Sequence, residues 1–203
     1  MKRVLFLTLF LTGLTLMSGC SQANFSEEEQ TLINNGTAED AFRVLLITDK
    51  QDSLVLRTPG TDIVDFEDPA LQLFIERLKT TLVVADGVGI AAPQVGVSKN
   101  IFLFSRLDLP GEPVIVAINP KIINHPDTTV CFERDGCLSI PGVWGNSIRY
   151  PWVEVEYYNE KGGLIRERLE GYSRQDTFSA VIFQHEYDHT EGVLYIDKLF
   201  RIE

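Results

Sequence analysis

The sequence is short of basic residues. It has 18 lysines and arginines against 29 aspartates and glutamates in 203 residues, which gives a formal net charge of −11. A chain this acidic lacks the excess positive charge that attracts nucleic acid, and it is repelled by anionic lipid. Repeats and low-complexity stretches are also absent, while 44% hydrophobic and 23% charged residues are typical of an ordinary globular protein. We therefore expect one globular domain with no nucleic-acid partner.

The apolar run at the start of the sequence is too short to span a bilayer comfortably. Residues 4–16 form a run of thirteen, interrupted only by Thr and Gly, directly after Lys2 and Arg3. This arrangement is typical of a signal peptide. The following segment, Leu16-Met17-Ser18-Gly19-Cys20, resembles a bacterial lipobox. The sequence therefore predicts a lipoprotein signal peptide over residues 1–19 and lipidation of Cys20.

Lipidation would make the protein an extracytoplasmic lipoprotein, held at the membrane only through its N-terminus, and on the periplasmic side in a Gram-negative organism. Cleavage would remove Lys2 and Arg3 but no acid, so the net charge would change by two, from −11 to −13. The alternative is a buried N-terminal helix in which Cys20 is a core cysteine, and in that case the protein would be cytoplasmic.

The body of the sequence contains helix and strand patterns. Residues 20–40 are polar and acidic and predict a tether or a short helix, for which Ser26 and Glu29 could form a capping box. Asp68 followed by Pro69 and apolar residues at helical spacing predicts a helix over residues 69–85. Apolar or alternating runs predict strands at residues 44–47, 101–104, 114–118, 153–157 and 165–169, with turns at 49–53, 108–111 and 162–163. We therefore expect an α+β domain over residues 41–203 with mainly antiparallel, short β-sheets.

Histidine is scarce. The chain has three, and two of them lie four residues apart in Gln184-His185-Glu186-Tyr187-Asp188-His189. Positions i and i+4 of an α-helix share a face, so both imidazoles can reach one metal ion, and Glu186 can act as general base toward a metal-bound water. Apolar residues before the motif favour a helix, and Gly192 marks its end. The alternative is two histidines on a buried helix, with Glu186 in an ordinary surface pair.

Small residues dominate a second stretch, Gly87-Val88-Gly89-Ile90-Ala91-Ala92-Pro93-Gln94. Glycine and alanine leave the backbone bare, so a peptide could lie against it and pair with its N–H and C=O groups. Gln94 adds an amide that can donate a hydrogen bond. The alternative is a tight turn; a phosphate loop is a poor interpretation, because no Lys-Ser/Thr follows.

Two cysteines lie in the body of the sequence, Cys131 and Cys137. Export would permit a disulfide between them. A catalytic metal helix, however, needs a third protein ligand and a fourth position open to water. Asp, Glu, His or Cys could each supply that ligand, so the helix alone does not identify it.

Three segments together resemble, in order and rough spacing, the three signature motifs of peptide deformylases. They are residues 87–94, Asp135-Gly136-Cys137-Leu138-Ser139 and residues 184–189. The resemblance covers about residues 42–199. It implies the deformylase fold, in which short antiparallel sheets are packed around a central metal-binding helix.

The resemblance also implies an activity, namely metal-dependent hydrolysis that removes the formyl group from N-formylmethionyl peptides and releases formate. The implied metal ligands are Cys137, His185 and His189, with Glu186 as the catalytic acid/base. Gln94 and the backbone N–H of Leu138 would bind the oxyanion, and Val88, Gly89 and Gly136 would line the substrate groove. The family typically uses one Fe²⁺ per chain, and Zn²⁺ or Ni²⁺ can occupy the site. We expect a monomer without the basic C-terminal helix by which many bacterial deformylases dock on the ribosome.

The sequence departs from the family pattern at several points. Asp135 stands where the family usually has Glu, with Arg149 as a candidate partner, and Trp144 stands where many bacterial members have Arg. The spacer over residues 163–180 is longer than usual and predicts an altered loop beside the site. Export would favour zinc, because ferrous iron and Cys137 oxidise more readily outside the cytoplasm. The alternatives are a catalytically impaired homologue that binds metal or formyl-peptides outside the cytoplasm, and a zinc peptidase, against which the Cys137 motif counts.

Overall fold

The computed structural model describes residues 23–200, so the predicted signal peptide and Cys20 lie outside the described residues. Within this part of the chain, no helix is long and apolar enough to cross a membrane. The helices are α1 (Glu27–Asn34), α2 (Lys50–Leu56), α3 (Pro69–Val84) and α4 (Ser179–Thr190), with 3-10 turns at Ala92–Val95 and Tyr195–Lys198. The strands are β1 (Gly89–Ala91), β2 (Ile101–Ser105), β3 (Val114–Asn124), β4 (Val130–Cys137), β5 (Ile140–Arg149), β6 (Trp152–Tyr158) and β7 (Leu164–Glu170).

The strands form two antiparallel sheets. Five of them make one sheet in the order β1-β2-β3-β6-β7, and in the described part of the chain β4 pairs only with β5, in a separate hairpin. The predicted turns at 108–111 and 162–163 join β2 to β3 and β6 to β7. The predicted α+β class with mainly antiparallel sheets is confirmed.

Strand β2 is buried on both faces, because helices cover the large sheet from both sides. Ile101 and Leu103 belong to the core under α3, whereas Phe102 and Phe104 belong to the core under α4. Successive strand residues point to opposite faces, which explains the continuous apolar run in the sequence. Phe183 of α4 packs edge-on against Phe102 and Phe104, with ring centroids 4.9 and 5.3 Å apart. These aromatic contacts place α4 at the centre of the domain.

The acidic segment from Asn24 onward is packed against the rest of the domain. Ser26 and Glu29 form the capping box of α1: the Ser26 hydroxyl accepts from the Glu29 N–H, and the Ser26 N–H donates to the Glu29 carboxylate at 2.9 Å. Phe25 and Ile33 are buried in the core that α3 covers. The Asn24 side chain is hydrogen-bonded to residues 64–68, which lead into α3.

The predicted turn at residues 49–53 is wrong, because this segment begins helix α2. Asp49 is its N-cap, and its carboxylate accepts from the backbone N–H groups of Gln51 and Asp52 at 2.8 and 3.1 Å. An Asp before polar residues is compatible with either a turn or a helix cap. Burial of Leu56 at the other end of α2 favours the helix.

The strand predicted at residues 44–47 is also wrong, since this segment belongs to neither sheet and Ile47 lies in a turn. It instead bonds to two segments of the predicted site. The Leu45 N–H donates to the Gln94 carbonyl at 2.8 Å, and the Ile47 N–H donates to the Ser139 carbonyl at 3.0 Å.

The β4–β5 hairpin was not predicted. Gly136, Gly142 and Gly145 interrupt any alternating pattern between residues 130 and 149, and the pairing contains two register shifts. Such irregular strands have no clear sequence signature.

Candidate active site

Helix α4 carries both motif histidines and is buried along almost its whole length. At its start, the Ser179 hydroxyl donates to the Asp108 carboxylate at 2.5 Å. Further along, the Gln184 amide donates to the Tyr150 carbonyl at 2.9 Å and accepts from the Tyr150 N–H at 2.8 Å. These bonds fix α4 to the loop after β2 and to the end of β5.

Cys137 ends strand β4, and its thiol lies against the histidines of α4. Its Sγ is 3.2 Å from the Nε2 of His189, and the ligand atoms of Cys137, His185 and His189 all lie within 4.8 Å of one another. Ligands of a tetrahedral ion lie roughly 3.5 Å apart, given metal–ligand bonds of about 2.0–2.3 Å. One thiolate and two imidazoles suit Zn²⁺ or Fe²⁺ and leave one coordination position open. The three residues therefore fit one divalent cation.

The pKa values of the two histidines are shifted in opposite directions. Burial lowers the pKa of His189 well below its usual value, and nearby positive charge at His185 and Arg149 acts in the same direction. Burial also acts to lower the pKa of His185, but hydrogen bonds to Asp135 and Cys137 outweigh it and raise that pKa well above its usual value. Neutral imidazole is the form that binds a metal, and His189 is held in that form.

A buried network of charged groups orients His185. The Asp135 Oδ1 is 3.2 Å from the His185 Nδ1, which leaves the other ring nitrogen for a metal. The Asp135 Oδ2 accepts from Arg149 at 3.0 Å and from the Ser147 hydroxyl at 2.6 Å. Arg149, with 1% of its side chain exposed, also donates to Asp188 at 2.6 Å. The predicted pairing of Asp135 with Arg149 is confirmed, and every charge in the network has an oppositely charged partner.

Asp135 is held as an anion by this network. Burial raises the pKa of its carboxyl, but the contacts with His185, Arg149 and Ser147 outweigh burial and hold that pKa well below its usual range. The negative charge can therefore keep a proton on the Nδ1 of His185.

Glu186 is buried beside the cluster, with one carboxylate oxygen unsatisfied. Among residues 23–200, its Oε2 has no hydrogen-bond partner. Burial raises the pKa of the Glu186 carboxyl to about 7. The neighbouring Gly89 is required for this placement, because a Cβ at Gly89 would lie 2.5 Å from the Glu186 Oε1. A carboxyl with such a pKa can accept and return a proton near neutral pH.

The amide of Gln94 is oriented by its own backbone neighbourhood. Its Oε1 accepts from the Ala91 N–H at 2.8 Å, so its Nε2 faces Cys137 Sγ at 3.5 Å and the Ser139 hydroxyl at 3.3 Å. Gln94 is 1% exposed. Its N–H groups therefore point at the ligand cluster from a fixed position.

A cavity of about 390 Å³ opens above these groups. Most of the residues predicted from the sequence line it: Val88, Gly89, Gln94, Gly136, Cys137, Leu138, His185 and Glu186. His189 lies beneath the cavity and is completely buried. The remaining wall is mainly apolar and includes the exposed ring of Trp144, together with Arg174 from the loop before α4.

The family model for polypeptide deformylase matches residues 44–203, which is most of the chain. The chain belongs to this family. A peptide deformylase of Thermotoga petrophila is 42% identical over 146 residues, covering 71% of this chain and 81% of that protein. The predicted family is confirmed, and this deformylase is an enzyme of the metal-dependent hydrolase class.

Solved deformylase structures agree with this assignment. The crystal structure of peptide deformylase from Thermotoga maritima matches with a TM-score of 0.68 and 35% identity, covering 79% of this chain and 99% of that one. The deformylase of Synechococcus elongatus, solved in complex with actinonin, matches with a TM-score of 0.67 and 35% identity, covering 79% of each chain.

Three side chains of the deformylase site were not found from the sequence. Asp188 lies within the histidine motif, and its position between the two histidines was the available signal. No signal in the sequence identified Ser147 or Arg174. The position of Ser147 depends on the β4–β5 pairing, and that of Arg174 depends on the course of a loop.

Proposed function

We propose that this deformylase hydrolyses the formamide bond of N-formylmethionyl peptides, giving formate and a peptide with a free amino terminus. One observation carries the proposal. The unsatisfied carboxylate oxygen of buried Glu186 lies beside the ligand cluster of Cys137, His185 and His189, at the floor of a largely apolar cavity.

The three clustered residues would hold one divalent cation. The family resemblance favours Fe²⁺, and Zn²⁺ or Ni²⁺ suit the same thiolate and imidazole donors. When bound, the cation supplies Lewis acidity to the formyl carbonyl and to the attacking water. Asp135 keeps His185 in the orientation and tautomer that binding requires, through its contact with Nδ1.

Glu186 would carry the proton. Its carboxylate takes a proton from the attacking water, whose oxygen joins the formyl carbon. As the carbon–nitrogen bond breaks, Glu186 gives that proton to the leaving nitrogen, and the free amine results. A pKa of about 7 suits both steps, because the group must first accept and then release the proton.

The oxyanion formed at the formyl carbonyl needs hydrogen-bond donors. We assign this role to the Gln94 amide, which is fixed by the Ala91 N–H, and to the backbone N–H of Leu138. Removing one such donor typically lowers turnover by about 10²–10³-fold. Val88, Gly89 and Gly136 line the cavity with little side-chain bulk at the two glycines, so a peptide backbone can approach there.

The test is formate release from formyl-Met-Ala-Ser by the metal-loaded protein, with Fe²⁺ under anaerobic conditions and separately with Zn²⁺. We expect turnover in the wild type and a loss of at least about 10²-fold in Glu186→Gln, with one equivalent of metal retained. Unchanged turnover in the variant would falsify the proposed proton carrier, and no turnover by the wild type with either metal would exclude the proposed activity.

The alternative, a metal- or peptide-binding homologue without catalysis, would be favoured if the short side chain of Asp135 failed to reach its partners. That carboxylate still contacts both His185 and Arg149. No observation in the described part of the chain favours this alternative over hydrolysis.

We also propose that the protein is a monomeric lipoprotein at the extracytoplasmic face of the membrane, acting away from the ribosome. The lipobox-like segment ending at Cys20 supports the lipid anchor. The net charge of −11 supports a role away from the ribosome, because an acidic protein is repelled by RNA. Cys20→Ser should move the protein from the membrane fraction to the soluble fraction and abolish lipid labelling. Light scattering tests the monomer, and co-sedimentation tests ribosome binding.

A further inference from the structure

The loop between β7 and α4, residues 171–178, places a positively charged side chain in the cavity wall. Within the described part of the chain, Arg174 is the one lining residue with a permanent positive charge. The loop folds back on itself, with the Tyr172 N–H donating to the Thr177 carbonyl at 2.9 Å. Arg174 Nη2 donates to the Arg134 carbonyl of β4 at 2.9 Å, which ties the loop to the hairpin.

The Arg174 guanidinium is held in place by aromatic rings. Its central carbon lies 5.1 Å from the ring centroid of Phe132 and 5.3 Å from that of Phe178. Phe132 is itself buried, at 2% exposure, so it offers a fixed surface for the cation. Stacking on aromatic faces restrains a guanidinium while leaving its N–H edge free for other partners.

Most of that N–H edge has no partner within the protein. Among residues 23–200, Arg174 makes one hydrogen bond, to a backbone carbonyl, and no ion pair with Asp or Glu. The buried anion Asp135 is already neutralised by Arg149 and His185. Arg174 is therefore not needed to balance the charge of Asp135.

The positive charge of Arg174 contrasts with the negative charge of the whole chain. At −11, the protein repels anionic ligands at long range, and Asp86 adds a further exposed carboxylate at the cavity. An arginine is the side chain best suited to bind a carboxylate, because its N–H groups match the two oxygens of that group. The presence of Arg174 in the cavity wall therefore points to a substrate that carries a carboxylate.

We propose that Arg174 is a specificity residue that selects formyl peptides with a carboxylate a few residues from the formyl group. The inference rests on the proposed function, since it names the substrates that the same cavity accepts. The carboxylate could be the free C-terminus of a short peptide or the side chain of an acidic residue, and both present the same two oxygens.

The experiment compares two matched pairs of substrates on the metal-loaded protein. One pair is formyl-Met-Ala-Ser as the free acid and as the C-terminal amide; the other is the amide of formyl-Met-Ala-Asp against that of formyl-Met-Ala-Asn. We expect the carboxylate peptide of at least one pair to have a roughly three- to tenfold higher kcat/KM, mainly through KM. The pair that responds identifies the source of the carboxylate.

Two variants test whether Arg174 causes this preference. Arg174→Gln should abolish it, while Arg168→Gln should retain it. Arg168 is a matched control, because its guanidinium also lies over an aromatic ring, that of Trp152 at 3.9 Å, but outside the cavity. Added salt should reduce the wild-type preference, since the interacting charges are exposed. Equal rates for both members of both pairs, or a preference that survives in Arg174→Gln, would overturn the proposal.

A binding measurement separates this inference from the proposed function. Trp144 lines the cavity and is 63% exposed, so its fluorescence can report peptide binding without any reaction. If no formyl peptide is hydrolysed, the proposed function fails. Tighter binding of the carboxylate peptides, lost in Arg174→Gln, would still support the role of Arg174, and equal binding would exclude it.

Discussion

The Asp135 carboxylate contacts the Nδ1 of His185 at 3.2 Å, and its second oxygen is bound by the Arg149 guanidinium at 3.0 Å. One side chain thus joins a proposed metal ligand to a buried cation. The residues belong to β4, α4 and β5, so the orientation of His185 depends on how the hairpin and the helix pack together.

Asp135→Asn should weaken metal binding. The amide keeps the size of the side chain but loses the charge that favours a proton on the His185 Nδ1, and losses of this kind typically reach about 10–100-fold in metal affinity or activity. Competition with a chelator measures the affinity, and formate release measures the activity. Asp135→Glu keeps the charge on a side chain one methylene longer and should retain both properties. Unchanged metal affinity and activity in Asp135→Asn would contradict the assigned role of the charge.

Arg149→Met should destabilise the fold strongly. The change leaves the Asp135 and Asp188 carboxylates without their shared buried partner, and breaking a buried ion pair costs about 3–5 kcal/mol. Urea unfolding gives the change in free energy. Arg166→Met is the control, because Arg166 is largely exposed and, within residues 23–200, pairs only with Glu156, so about 1 kcal/mol or less is expected. Equal losses would contradict the assigned importance of burial.

Gly89→Ala should lower activity while the domain stays folded. The added methyl would lie 2.5 Å from the Glu186 carboxylate, so that carboxylate must move from the position where it transfers the proton. A displacement of about 1 Å can cost on the order of 10²-fold in rate. Ile90→Val removes one methylene from the next residue in β1 and should leave kcat close to the wild-type value. Full activity in Gly89→Ala would mean that the position of Glu186 is not critical.

Asp108→Asn should reduce stability near neutral pH but not in strong acid. Hydrogen bonds from Arg106, opposed by burial and aided by Ser179, lower the pKa of Asp108 from 3.8 to about 2. Because the folded-state pKa is depressed, the stabilisation is complete above about pH 4 and is lost as the pH falls toward 2. After allowance for solvent exposure, we expect a difference of about 1 kcal/mol at pH 7. Urea unfolding of both proteins at several pH values should show that difference shrinking below pH 4; a constant difference would contradict it.

The sequence predicted those parts of the fold that have regular periodicity. The cap at Asp68, the spacing of apolar residues in α3 and the alternation in β6 were sufficient for those elements. The irregular hairpin of residues 130–149 was not predictable, because its register shifts leave no period to detect. Asp49 was misassigned because a short polar residue favours a turn and a helix cap equally well.

The residues of the site also divide into those that the sequence predicted and those that it did not. His185 and His189 were recognisable from helical spacing alone, and Cys137 became a candidate through the family motif. The contacts of Ser147 and Arg174 depend on tertiary packing between segments distant in sequence, which no local pattern encodes. The longer spacer before α4 predicted an altered loop beside the site, but it did not identify Arg174 as a lining residue.

The separate hairpin has a consequence for local unfolding. Cys137 lies on β4, which shares no hydrogen-bonded strand with the five-stranded sheet, whereas both histidines lie on the helix that covers that sheet. A cation bound by all three residues would add a cross-link between the hairpin and the helix, beside the contacts that Asp135 and Arg149 already make with α4. At a concentration 100-fold above its Kd, such a ligand raises the cost of opening by about 2.7 kcal/mol. Amide hydrogen exchange in residues 130–149 should therefore slow as metal binds. The hairpin would then report metal occupancy, whereas exchange in the buried strand β2 would report global unfolding.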